Sequence, residues 1–163
     1  MNGTASGYAE LHCLSNFSFL RGASHPQELV DRAADQGYTA LALTDECSVA
    51  GVVRAHERAA ARGLSLIIGA EFTLGEGPKV VLLATDRTAY GRLCRLITLA
   101  RSRRPKGQYS LDLADLIEQP LAGCLLLWVQ GEDDAMAALS EVFGGRLWLV
   151  AELFDSADRI QHQ

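Results

Sequence analysis

The chain has 163 residues, 48% hydrophobic and 21% charged, an ordinary balance for one soluble domain with a real core. Fifteen Lys and Arg against twenty Asp and Glu leave a formal charge of −5. That balance argues against a principal DNA-gripping surface, because phosphate contacts need clustered positive charge. Cys13, Cys47, Cys94 and Cys124 form no CxxC pair, which disfavours a disulfide or zinc-finger framework and favours free thiols in a reducing cytosol. The N-terminus lacks a basic region followed by an apolar stretch, and no apolar run approaches a membrane span. The expected location is therefore the cytoplasm, with no membrane partner.

Tyr8–Cys13 (YAELHC) reads as a first strand. Ser24 is expected to cap the first helix, with Gln27 in capping-box spacing and Pro26 at an early helical position. Leu29, Val30, Ala33 and Ala34 supply its buried stripe, and Gly37 ends it in the left-handed region. Thr39–Leu43 is a short apolar run of the kind buried on both faces of a parallel sheet. Ser48–Arg62 is an Ala-rich helix ended by Gly63, and Leu64–Ala70 is the third strand. Val80–Ala84 is the fourth, after which Asp86 is expected to cap a helix carrying Tyr90, Leu93, Leu96 and Ile97. Arg101–Gln108 (RSRRPKGQ) is a basic stretch that could touch phosphate but reads more readily as a solvated loop.

Leu111–Ile117 predicts a short helix, Gly123–Val129 a fifth strand, Asp133–Phe143 a helix and Leu147–Glu152 a sixth strand. Asp155–Gln163 reads as the start of another helix. Trp128 and Trp148 lie on apolar strands and are expected in the core rather than as base-stacking platforms. His25 and His56 are expected at helix surfaces. Strands alternating with helices predict an α/β fold whose parallel sheet has right-handed crossovers. Periodicity leaves open whether the sheet is open or curled into a barrel.

Functional groups in such folds gather at the C-terminal ends of strands. Glu10 and His12, then Thr44-Asp45-Glu46, then Glu71 fall at such ends. One histidine with several carboxylates suits a divalent metal. Carboxylates in these places serve equally well as helix caps and salt-bridge partners, so the pattern leaves both readings open.

The wording of the motifs is more specific. Leu11-His12-Cys13-Leu14-Ser15-Asn16-Phe17-Ser18-Phe19-Leu20-Arg21-Gly22-Ala23 resembles the first motif of the polymerase and histidinol phosphatase (PHP) domain of bacterial C-family DNA polymerases. Ala42-Leu43-Thr44-Asp45-Glu46 with Ala50-Gly51 resembles the second, and Ile67-Ile68-Gly69-Ala70-Glu71-Phe72 the third. Val81-Leu82-Leu83-Ala84, the helix bearing Tyr90 and Leu93-Cys94-Arg95-Leu96, and Gly123-Cys124 continue the resemblance in order. The stretches ELHCLSNFSFLRGAS and ALTDECSVAGVVRAH look most like the error-prone, damage-induced branch.

The resemblance implies a distorted βα barrel of about seven strands, of which about six are countable here. Residues 8–154 would form the partial domain, with 1–7 a flexible N-terminus, 155–163 the start of a truncated helix, and the polymerase domains absent. It also implies a metal cluster in active members, built on a His-x-His pair, an Asp, a Thr-Asp-His segment, a Glu, a later His and a Cys. Here His12 matches the first His, but Leu14 replaces the second. Arg21 stands at the Asp position, Glu46 at the His after Asp45, and Lys79 at the later His. His12, Glu71 and Cys124 match ligand positions, and Glu46 could donate oxygen, so these four are the ligands if a metal binds.

Arg21 and Lys79 would place permanent positive charge beside Glu46 and Glu71, so ion pairs are expected in place of metal. The implied function is an inactive scaffold within a polymerase for translesion synthesis, with no catalytic residue and no cofactor in these residues. The absent polymerase domain would use magnesium, DNA and deoxynucleotides, alongside the sliding clamp and other damage-response polymerase proteins. The alternatives are a metal-dependent phosphoesterase or proofreading nuclease at the PHP site, and a free-standing binding module.

Overall fold

A computed structural model describes residues 7–131 and 133–151; the segment from Asp155 to Gln163, expected to begin a helix, lies outside them. Among the described residues, six strands form one sheet in chain order: β1 (Ala9–Cys13), β2 (Ala40–Leu43), β3 (Ser65–Thr73), β4 (Lys79–Ala84), β5 (Cys124–Gln130) and β6 (Leu147–Leu149). Five described α-helices connect or cover them: α1 (Pro26–Asp35), α2 (Val52–Arg62), α3 (Arg87–Ser102), α4 (Leu113–Glu118) and α5 (Asp133–Phe143).

Local chemistry sets the helix ends. α1 starts one residue later than expected: His25, not Ser24, is the cap, and the Glu28 carboxylate accepts its backbone N–H at 2.7 Å. Gly63 ends α2 with φ of 66°, and Gly37 follows α1 with φ of 75°, a region open to glycine because it has no Cβ. Asp86 caps α3 by accepting from the Ala89 N–H at 2.7 Å.

The sheet is parallel except at β4, which runs antiparallel to both β3 and β5. This corrects the all-parallel expectation. Only residues 74–78 separate β3 from β4, a hairpin length, whereas a parallel neighbour needs a crossover of a dozen or more residues. The reversal brings the start of β4 to the same end of the sheet as the ends of β1, β2 and β3.

Strand alternation divides the apolar residues between two faces. On the outer face, Leu41 and Leu43 pack with Val30, Ala33, Val52, Ala55 and Ala59 of α1 and α2. Farther along it, Phe72, Val80, Leu82, Leu126 and Trp128 pack with Leu93 and Leu96 of α3, Leu116 of α4 and Leu139 of α5. The inner face carries Ala42, Val81, Leu83 and Leu127.

Residues of both edge strands, including His12 of β1 and Leu149 of β6, line one cavity of about 1020 Å³ on this inner face. The sheet is thus curled into a half barrel whose two edges approach across open space. Trp148 on β6 lines that cavity and is 60% exposed, which corrects its assignment to the core. Its strand is the outermost described, so no described strand covers it, while Trp128 on interior β5 is buried.

Candidate functional site

The barrel mouth is assembled from the ends of β1, β2 and β3 and the start of β4. The chain beyond β2 stays beside β3 through a single bridge between Glu46 and Glu71. The Cys47 N–H donates to the Glu71 carbonyl at 2.8 Å. These backbone bonds place two carboxylates side by side, with His12 reaching them from β1.

Glu71 is fully buried, and both oxygens of its carboxylate accept hydrogen bonds. Arg21 donates through Nη1 to Oε1 and through Nη2 to Oε2, the latter at 3.0 Å, and His12 Nε2 lies 2.8 Å from Oε2. Burial alone would raise this carboxyl. Bonds from His12 and Arg21, with the charges of Arg21 and Lys79, outweigh it and hold the pKa down to about 2. The same contact with Glu71 raises the pKa of Arg21, keeping it a permanent cation.

Arg21 also bonds Glu46 Oε2 at 3.1 Å, while the Tyr109 hydroxyl donates to Glu46 Oε1 at 3.1 Å. Burial pushes the Tyr109 phenol up to about 12, so it stays a neutral donor. Arg101, from the end of α3, bonds the carbonyls of Glu46 and Cys47, both at 3.2 Å. That helps hold Cys47 at a φ of 45°.

Asp45 is buried beneath this layer and does different work. Its Oδ1 accepts from the Ser15 N–H at 2.8 Å and the Ser18 hydroxyl at 2.7 Å, and its Oδ2 from the Ser15 hydroxyl at 2.7 Å. Ser18 Oγ in turn accepts the Glu46 N–H at 2.9 Å. Three donors on one buried carboxylate fix the loop that delivers Arg21.

Of the residues marked from sequence, the structure brings together His12, Arg21, Glu46 and Glu71, with Asp45 beneath them. Lys79, on the inner-facing register of β4, is near enough to help keep Glu71 ionised. Cys124 lies elsewhere. It pairs with Ala84 at the far end of the sheet, and its thiol points outward to the Ala89 carbonyl at 3.7 Å among the α3 core residues. The alternation of β5 puts it on the face opposite Leu125 and Leu127, so it cannot share a ligand set with His12.

Ser15, Ser18, Tyr109 and Arg101 were not singled out in sequence. The two serines sit in the first motif, but only the fold shows them aimed at Asp45. Arg101 opens the basic stretch read as a solvated loop, yet it closes α3 and stacks its guanidinium 5.6 Å from the Tyr109 ring centroid. Arg103, also from that stretch, forms a two-pronged pair with Asp115 at 2.6 and 2.7 Å.

This donor set does not fit a divalent metal. Every carboxylate oxygen of Asp45, Glu46 and Glu71 already accepts a hydrogen bond. Among the described residues, no three His, Cys, Asp or Glu side chains are grouped as ligands. A cation ~4 Å from the guanidinium would meet about 4 kcal/mol of repulsion per unit charge at an effective dielectric of 20.

The profile of the PHP domain matches residues 10–152. The chain belongs to the PHP domain family. This PHP domain is 57% identical over 157 residues to the error-prone DNA polymerase of Aromatoleum aromaticum, covering 90% of this chain and 15% of that protein. It is 55% identical over 155 residues to the error-prone DNA polymerase of Pseudomonas aeruginosa, covering 94% of this chain and 15% of that protein. The chain therefore spans about 15% of the length of the curated relatives it matches.

Among solved structures, a candidate metal-dependent phosphoesterase from Bifidobacterium adolescentis superposes on the PHP domain with a TM-score of 0.66 at 16% identity, covering 88% of this chain and 77% of that one. An amidohydrolase from Chromobacterium violaceum gives 0.60 at 18% identity, covering 86% and 75%. At these identities the likeness is one of fold, and it agrees with the curled βα sheet.

Proposed function

We propose that the chain is the PHP portion of an error-prone DNA polymerase used in damage-induced translesion synthesis, and that its barrel mouth is a metal-free ion-pair cluster acting as scaffold. The observation that carries the second part is the two-pronged grip of Arg21 on the buried Glu71 carboxylate. A guanidinium matches a carboxylate in shape and charge, so Arg21 supplies within the chain the positive charge that a metal would otherwise bring. The similarity to error-prone polymerases supports the first part.

In the whole protein, deoxynucleotide transfer would use magnesium held by carboxylates of a palm domain outside these residues. DNA and deoxynucleotides would be its substrates in the cytoplasm, and the sliding clamp and other damage-response polymerase proteins its partners. Elemental analysis after growth with zinc and manganese should find well under one equivalent bound, and phosphatase and exonuclease assays should stay at background. Stoichiometric, chelator-sensitive metal with hydrolytic activity would refute the scaffold assignment. Primer extension across a template lesion by the full-length protein tests the polymerase assignment separately.

A further inference from the structure

The formal charge of −5 is unevenly spread along the chain. Residues 87–111, which are α3 and the loop after it, hold seven of the fifteen Lys and Arg and none of the twenty Asp and Glu. That stretch carries +7, and all other residues together carry −12. The fold uses three of the seven cations. Arg101 bonds the Glu46 and Cys47 carbonyls, Arg103 grips Asp115, and Arg92 donates to the Ala122 carbonyl. Arg87, Arg95, Arg104 and Lys106 are exposed and make no side-chain hydrogen bond or ion pair among the described residues.

Helix geometry gathers these cations into one ridge. Ala89, Leu93, Leu96 and Ala100 form the buried side of α3. Arg87, Gly91, Arg95, Thr98 and Ser102 recur at spacings of three and four along the opposite, exposed side. Arg87 and Arg95 stand about 12 Å apart along the axis, and Arg104 and Lys106 follow at its C-terminal end. The pairs of Arg101 and Arg103, with the Gln108 N–H donating to the Pro105 carbonyl at 3.1 Å, hold that end in place.

We infer that this ridge binds the phosphate backbone of duplex DNA without reading its sequence. Backbone contact needs clustered, unpaired cations and little else. Among the described residues, none of the exposed large apolar side chains falls between residues 87 and 111, so the ridge lacks the apolar anchors of a protein interface. It also lacks the exposed aromatic rings on which a single strand would stack its bases: Tyr90 is half-buried, and Tyr109 is engaged by Glu46 and Thr73. A duplex already stacks its bases on one another and offers phosphates alone to such a surface. The choice of DNA as the polyanion rests on the polymerase assignment above.

Lys106 on the ridge and half-buried Lys79 at the barrel mouth are the two lysines of this sequence, so lysine acetylation of the unmodified full-length protein reads the ridge directly. A saturating blunt-ended DNA duplex should slow acetylation of Lys106 about fivefold or more and leave Lys79 unchanged. In the full-length protein, Arg95→Ala, Arg104→Ala and Lys106→Ala together should weaken duplex binding about tenfold or more at low salt. They should also flatten the fall of log affinity with log salt by about 2–3, close to 0.9 for each lost phosphate contact. Arg32→Ala with Arg54→Ala, exposed cations on α1 and α2, should change neither. Lys106 acetylation within twofold of its DNA-free rate would overturn the inference, as would equal slowing of Lys79 or protection by a single strand but not by duplex. An unchanged salt slope in the triple variant would do the same. Primer extension on the same samples keeps the two ideas apart: extension with Lys106 unprotected sinks the ridge alone, and protection without extension sinks the polymerase assignment alone.

Discussion

Replacing Arg21 with alanine removes the cation that neutralises a fully buried carboxylate, and the cost follows from the geometry. The Glu71 carboxyl is held at about 2 against an ordinary 4.5, a shift worth ~3 kcal/mol of preference for the ionised, paired state. Breaking a deeply buried pair by removing one partner costs about 3–5 kcal/mol. Arg21 is 32% exposed, so water screens part of the loss, and His12 still contacts Glu71; the expected cost is ~2–3 kcal/mol. For a chain of this size that corresponds to roughly 4–12 °C in melting temperature.

The pH dependence has a definite sign. The folded-state pKa of Glu71 is depressed, so its stabilisation is complete above about 4.5 and is lost as pH falls towards about 2. Arg21→Ala should lower the urea midpoint at pH 7 and flatten the rise in stability between pH 2 and 4.5. Arg21→Ala combined with Glu71→Gln should recover part of the loss at pH 7, because no uncompensated charge then remains. A midpoint within the ~0.5 kcal/mol typical of surface substitutions, or no recovery in the double variant, would show that the pair is incidental.

Ser18→Ala removes one of three donors to buried Asp45 and the acceptor of the Glu46 N–H, and should cost ~1–3 kcal/mol by urea denaturation; an unchanged midpoint would mean that the loop does not depend on Asp45. Tyr109→Phe deletes the hydroxyl that donates to Glu46 and accepts from the Thr73 N–H at 2.9 Å, so a loss of about 1 kcal/mol is expected in the same assay. Trp148→Ser with Leu149→Ser alters two exposed apolar residues on the last described strand. This pair of changes should leave the midpoint within ~0.5 kcal/mol and reduce self-association of the 163-residue chain in sedimentation velocity, because exposed apolar edges favour association.

Features that depend on neighbouring residues can be read along the chain. Apolar runs spaced by helical stretches set the alternation of elements, Gly37 and Gly63 mark where two helices stop, and Asp86 marks where one starts. The ends of β1, β2 and β3 marked His12, Glu46 and Glu71 because polar residues interrupt apolar runs there. Which of these residues meet, and with what, follows from the three-dimensional fold. Strand order brings Arg21 to Glu71 across fifty positions and Tyr109 to Glu46 across sixty-three, separations that no local rule measures. Cys124 carries the same ligand chemistry as any thiol, yet its register on β5 turns it into the outer core. Trp148 is as apolar as Trp128, but one lies on an edge strand and the other between two neighbours. Residue type states what a side chain can do, and strand register and curl decide what stands within reach of it.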